Sequence, residues 1–231
     1  MKTKILLLMF VMASLSSLAK KDNVLTKKEI KEGWTMLFNG RDTDGWTTPS
    51  GKPVPKGWSI SGGSITAVKG GKGGDIVTVN EYANFVLSVD FNIEPGCNSG
   101  IKYFYTKYPT GGNLGLEYQI LDDVLGEDNK KDNHLLGSFY DVIAPTGPKK
   151  VNAPGKWNNI RIVVMGNKVE HWLNGVKILE FTRGSQAYTT AVAESKFRGT
   201  VPAFGMVEKG KILLQEHGGQ ISFKNIKIKT L

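Results

Sequence analysis

The chain has 231 residues, 30 Lys and Arg against 21 Asp and Glu for a net charge of +9, and one cysteine. A single cysteine excludes an internal disulfide, so stability must come from a core, and this length is ample for one. The basic residues are scattered in pairs such as Lys27-Lys28, Lys130-Lys131 and Lys149-Lys150. They form no stripe interleaved with aromatics, which argues against nucleic acid as a partner.

The chain opens MKTKILLLMFVMASLSSLAK. Lys2 and Lys4 precede an apolar run from Ile5 to Met12, and Ser17-Leu18-Ala19 has the pattern of a cleavage site. Residues 1–19 are expected to be a secretory signal peptide whose apolar run is too short to span a bilayer. No cysteine sits at the cleavage site for a lipid anchor. The mature protein is expected to be exported, periplasmic or secreted, with no membrane insertion. Residues 20–32 read as a lead-in and 33–231 as a single domain.

Strand-like runs then follow one another between glycine turns. Trp58 to Val68 reads as a hairpin closed by Gly62-Gly63. From Asn84 to Ile93 the residues Phe85, Leu87, Val89, Phe91 and Ile93 share one face, the pattern of a half-buried strand. Cys97 reads as a small residue at a strand end, before Ile101 to Tyr105. Three more strands lie in Lys156 to Phe181, turning at Gly166-Asn167 and Asn174-Gly175. Lys211 to Gln215 and Ile221 to Ile228 close the chain, and a slip in apolar parity predicts a bulge near Asn225. Only Ser185 to Phe197 looks helical. Many short strands and almost no helix predict an all-β fold, a two-sheet antiparallel sandwich of the jelly-roll kind, with one short helix near 185–197.

The stretch GLEYQILDD (115–123) gathers acidic residues in a run that otherwise suits a strand. Acidic residues are depleted in strands and costly to bury unpaired. Alternation points Glu117 and Gln119 the same way, about 7 Å apart, with Gly115 leaving space beside them. Gln215 and His217 repeat this polar-x-polar spacing in KILLQEHGG. His171 shares a face with Val169 and Leu173, which favours packing. His134 and Tyr140 lie in the loop DNHLLGSFYD and count as substrate-binding candidates. Asn98-Ser99 suits either a turn or sugar hydroxyls. Asp122, Asp123, Glu127 and Asp128 form a candidate Ca²⁺ cluster, although their order, DDVLGED, does not match the standard loop. No cofactor is implied, and the metal question stays open.

Five segments together resemble one family: residues 33–46, 97–104, 115–123, 155–181 and 211–228. They are similar to the 3-keto-disaccharide hydrolase domain family, from about residue 33 to the C-terminus. The resemblance implies a concanavalin A-like sandwich and cleavage of glycosides whose sugar carries a ketone at C3. It brings in Glu117, Gln119, Asp122, Asn98, Ser99, His171, Asn174, Gln215 and His217 as site residues. The expected substrate is an oligosaccharide or glycoside.

Ordinary glycosidases use two carboxylates flanking the bond, and the strand positions after Glu117 on its face are Gln119 and Leu121. A 3-keto sugar needs one base, because the ketone acidifies the C2 hydrogen and the C1 substituent can then leave by elimination before water adds. Glu117 and His217 are the expected proton-transfer residues, and Glu117 is expected to matter less to folding than to turnover. The alternatives are a non-catalytic lectin-type module and an ordinary glycosidase.

Overall fold

The computed structural model describes residues 21–108, 112–200 and 203–231; the expected signal peptide lies outside them. The described strands form two antiparallel sheets. One runs β11 (Val176–Thr182), β10 (Lys168–Leu173), β9 (Asn158–Met165), β6 (Phe85–Ile93), β13 (Ile221–Thr230), β4 (Ser64–Ala67), β3 (Trp58–Ser61), with β1 (Trp34–Met36) also on β13. The other runs β2 (Trp46–Thr47), β5 (Ile76–Thr78), β12 (Lys211–Leu214), β7 (Asn98–Tyr108), β8 (Gly112–Leu121). This is the expected jelly-roll sandwich.

Local chemistry explains the elements. The β3–β4 turn uses Gly62 and Gly63, at φ 56° and 76°, and the β10–β11 turn uses Asn174 and Gly175, at 48° and 80°. Both pairs supply the two left-handed residues that a tight hairpin needs. The predicted bulge is present: the β13–β6 register shifts between Lys224 and Lys227, and Asn225 sits at φ 52°. The Asn225 amide donates to Asp90 Oδ2 at 2.7 Å, and its backbone N–H donates to Asn23 Oδ1 at 2.8 Å, which ties the lead-in segment to the sheet.

The predicted helix is shorter than expected. It spans Gln186–Glu194 (α2), with Ser185 accepting from the Tyr188 N–H as its cap. A one-turn helix at Lys27–Lys31 (α1) was not expected, although Thr26 and Glu29 form a capping box whose T-x-x-E spacing is visible in the sequence.

The core lies between the sheets. Strands β6, β9 and β13 contribute Phe85, Leu87, Phe91, Ile160, Ile162 and Phe223; strands β7, β8 and β12 contribute Ile101, Tyr103, Leu116, Tyr118, Ile120 and Leu214. Side chains alternate along each strand, so the residues between these core positions on the smaller sheet face away from it. They include Asn98, Gly100, Lys102, Glu117, Gln119 and Leu213.

His171 belongs to the core. It has no exposed surface, its Nδ1 donates to the Gly137 carbonyl at 2.9 Å, and its Nε2 accepts from the Tyr103 hydroxyl at 2.9 Å. The expectation that it contacts substrate is corrected: periodicity placed it with Val169 and Leu173, and it packs there. Burial pushes its pKa down to about 4, against a smaller opposing effect of the Gly137 carbonyl. The unfolded chain therefore binds a proton that the native state refuses. Stability should be flat in this group's contribution above its ordinary pKa near 6.5 and fall between there and about pH 4, by up to about 3 kcal/mol. Urea unfolding across that range should show the slope in the wild type and lose much of it in His171→Gln; an equal slope in both would contradict this assignment.

Candidate active site

The site is built on the outer face of the smaller sheet. Strand β8 is an edge strand, and residues 137–140 run along it. The Gln119 N–H donates to the Ser138 carbonyl at 3.2 Å, Gly137 N–H to the Gln119 carbonyl at 2.9 Å, and Tyr140 N–H to the Glu117 carbonyl at 3.1 Å. Outward-facing Glu117 and Gln119 are nonetheless 5% and 1% exposed, because the side chains of Lys102, Tyr140 and Lys196 gather around them on that face.

On this face lies a recess of about 90 Å³ lined by Asn98, Lys102, Glu117, Gln119, Tyr140, Lys196, Gln215 and His217. Lys102 is the cross-strand partner of Glu117 in the β7–β8 register, and its Nζ is 3.6 Å from Glu117 Oε2. The space beside Glu117 comes from Gly100, where a Cβ would meet Glu117 Oε1 at 2.5 Å. Gly115, expected to leave that gap, instead abuts the β7 backbone, with a Cβ 3.0 Å from the Tyr103 carbonyl oxygen. The Gln119 amide donates to Asn98 Oδ1 at 3.3 Å. Among the described residues, Gln119 Oε1 and Gln215 Oε1 are buried without a hydrogen-bond partner, so both can accept from a ligand hydroxyl.

The recess opens onto a wider cleft of about 710 Å³ that shares Asn98, Tyr140 and His217 with it and adds Lys69, Glu94, Leu125 and Asp128. His217 is exposed at the junction of the two.

Burial controls the electrostatics. Desolvation raises the pKa of Glu117; Lys102 and Lys196 oppose this, and the charge of Asp75 adds to it. Lys196 is lowered by desolvation, with Glu117 and Asp141 acting the other way. Asp75 is itself raised by burial, although it accepts from the Glu216 N–H at 3.0 Å. It does not line the recess, where Glu117 is the one carboxylate among the described residues. A carboxylate with raised proton affinity beside two ammonium groups suits a general base whose product is an oxyanion.

Of the residues expected from sequence, the structure brings together Asn98, Glu117, Gln119, Tyr140, Gln215 and His217. Five are placed elsewhere. Ser99 is fully buried and donates to the Gln215 carbonyl at 2.8 Å, holding β7 to the residue after β12. Asp122 lies past the end of β8 and accepts from the backbone N–H groups of Gly96, Val124 and Leu125 at 2.9, 3.0 and 3.2 Å. Burial opposes ionisation of Asp122, but these bonds outweigh it and hold its pKa below the usual range. Asn174 shapes a turn, its Oδ1 accepting from the Asn159 N–H at 2.7 Å. His171 is in the core, and His134 lies behind Tyr140, outside the recess lining.

The acidic run does not gather as a metal site either. Asp123 pairs with Lys149 and accepts from the Leu136 N–H at 2.7 Å, while Asp128 holds His134 and Tyr140. Among the described residues no three His, Cys, Asp or Glu side chains converge as a metal site. Cys97 is buried, and desolvation first, then Glu94 and Asp122, pushes its thiol up to about 12, which makes it a poor nucleophile.

Two lining residues were missed. Lys102 could have been found by pairing β7 with β8. Lys196 carries no periodic signal, because a turn after α2 delivers it: the Ser195 hydroxyl donates to the Val192 carbonyl at 2.7 Å and accepts from the Phe197 N–H at 3.0 Å.

Comparison with known proteins agrees with this fold. Residues 33–229 match the model of the 3-keto-alpha-glucoside-1,2-lyase-like domain. A 3-keto-disaccharide hydrolase of Bacteroides thetaiotaomicron is 30% identical over 87% of this chain and 79% of its own length. A crystal structure from Parabacteroides distasonis, classed as a glycosyl hydrolase, superposes with a TM-score of 0.81 at 37% identity, covering 91% of this chain and 100% of the other. A second from that organism gives 0.72 at 31% identity over 86% and 99%. With the match spanning nearly the whole described chain, this protein belongs to the 3-keto-alpha-glucoside-1,2-lyase-like domain family.

Proposed function

We propose that the protein is a carbohydrate hydrolase that cleaves 3-keto-glycosides or 3-keto-disaccharides by elimination and hydration, with Glu117 as the base. The observation that carries this reading is the recess itself, whose lining holds one buried carboxylate and two lysines. A double displacement at C1 calls for a second carboxylate facing the first across the bond. Removal of the C2 hydrogen calls for one base and positive charge near the ketone oxygen.

Glu117 takes the C2 proton, and the C–H electron pair moves into the C2–C3 bond, leaving an enolate oxygen at C3. The ammonium groups of Lys102 and Lys196 stabilise that oxygen. The pair then returns to form a C1–C2 double bond as the C1–O bond breaks, and the leaving oxygen takes a proton from His217 at the cleft junction. Water adds its hydroxyl to C1 and gives its other proton back to His217, and Glu117, after its acquired proton has exchanged with solvent, delivers a proton to C2. The small recess takes the reacting edge of the sugar, and the wider cleft takes the leaving group. The names of the Bacteroides relative and the matched family, one a hydrolase and the other a lyase, both suit this sequence of events.

Glu117→Gln keeps the shape and removes the base. The rate on a 3-keto-disaccharide should fall by roughly 10²–10⁴-fold. Because burial disfavours the charged carboxylate, its contribution to stability is lost as pH rises through its raised pKa. The Tm of Glu117→Gln should therefore equal or exceed that of the wild type at pH 8. Full retained activity would overturn the assignment. An unoxidised disaccharide should be left intact; its cleavage would indicate an ordinary glycosidase, and binding of both sugars without product a lectin.

The acid limb of kcat/KM should lie above the ordinary Glu range. Lys102→Met should move it to higher pH, because the cation nearest Glu117 is lost. A limb that stays in place would show that Glu117 is not the titrating base.

We also propose that the chain is exported after removal of residues 1–19. Mass spectrometry of the exported protein should find an N-terminus near Lys20; a retained Met1 would refute it.

A further inference from the structure

We propose that His134 is a positioning residue for this site, bracing Tyr140 and Lys196 through the carboxylates of Asp128 and Asp141. The inference rests on the functional reading above and assigns a role to a residue outside the recess lining, packed against the Tyr140 ring at 4.6 Å between centroids.

The geometry is a continuous chain of short contacts. The Tyr140 hydroxyl donates to Asp128 Oδ2 at 2.7 Å. Asp128 Oδ1 faces His134 Nδ1 at 2.7 Å, and His134 Nε2 faces Asp141 Oδ1 at 2.7 Å. The far oxygen of Asp141, Oδ2, accepts from the Lys196 backbone N–H at 2.7 Å. The circuit closes across the recess, where Lys196 Nζ lies 4.0 Å from the centre of the Tyr140 ring. Three separate segments therefore meet through one imidazole that is only 8% exposed.

Both carboxylates are held below the usual range. Desolvation works against this in each case, but for Asp128 the bonds from Tyr140 and His134 prevail, and for Asp141 those from His134 and the Lys196 backbone. Ionised carboxylates only accept hydrogen bonds. With a carboxylate oxygen 2.7 Å from each ring nitrogen, the brace calls for an N–H on both sides of the imidazole. A side-chain amide placed there could not reach both carboxylates from opposite sides with donors, because its two N–H groups share one nitrogen.

The consequences fall on the recess. The proton of Tyr140 is committed to Asp128, so its oxygen turns lone pairs toward the ligand and can accept from a sugar hydroxyl. Lys196 sits on a turn with no regular strand or helix to fix it. Its backbone is pinned by Asp141, which keeps the ammonium group above Tyr140 and within the field of Glu117. His134 couples these two settings.

Two measurements on the full chain test the brace. In the wild-type background, His134→Gln and Asp128→Asn should each lower kcat/KM on a 3-keto-disaccharide by roughly 10- to 100-fold through misplaced groups. In a Tyr140→Phe, Lys196→Met background, where nothing is left to position, His134→Gln should cost less than about threefold. Equal losses in both backgrounds would overturn the proposal. NMR of protein labelled with ring-¹⁵N histidine should show two N–H protons on His134 and one on His171. A single N–H on His134 would also overturn it, and this readout survives if a variant fails to fold. If the wild type turns over no 3-keto-disaccharide, the functional reading fails, while the NMR result still decides whether the brace exists.

Discussion

The structure depends on keeping one carboxylate away from water. Glu117 projects from the outward face of a sheet, where a charged side chain would ordinarily be solvated at no cost. Here the side chains of Lys102, Tyr140 and Lys196 close around it and leave it 5% exposed. An isolated buried carboxylate is expensive, and it responds by raising its proton affinity unless charge is supplied nearby. Lys102 and Lys196 supply part of that charge but leave the pKa raised. A base that must take a weakly acidic C–H proton benefits from such a balance: with more positive charge it would be a weaker base, and with less it would hold its own proton more tightly.

The surrounding choices follow from that constraint. Gly100 lets the Glu117 side chain lie flat across β7, because any larger residue would strike its Oε1. The amide oxygens of Gln119 and Gln215, buried with no partner among the described residues, offer acceptors to a polyol in the recess. Asp75 shows how the same sandwich keeps a second carboxylate near without making it a partner. Its charge is felt at Glu117, but it is spent on the Glu216 backbone and stays outside the recess lining.

What could be read from the sequence follows the regularity of the backbone. Glu117 with Gln119 and Gln215 with His217 obey period two, and both pairs reach the recess. Asn98 and Ser99 could not both do so, because neighbours on a strand face opposite ways, and Ser99 is the one turned inward. For His171 the apolar parity was a better guide than family resemblance. Asp122 escaped the pattern because β8 ends one residue earlier, at Leu121, which frees its carboxylate to hold a turn. Lys102 needed the register of two strands, and Lys196 needed a tertiary contact with Asp141 from a distant loop. A one-dimensional pattern contains neither.

The central claim is that Glu117 removes the C2 hydrogen of a 3-keto sugar. The most direct measurement is turnover of a 3-keto-disaccharide in deuterated water, followed by NMR of the released keto sugar. The account predicts solvent deuterium at C2, incorporated faster than without enzyme and abolished in Glu117→Gln. Release of both sugars with the C2 hydrogen fully retained would contradict it.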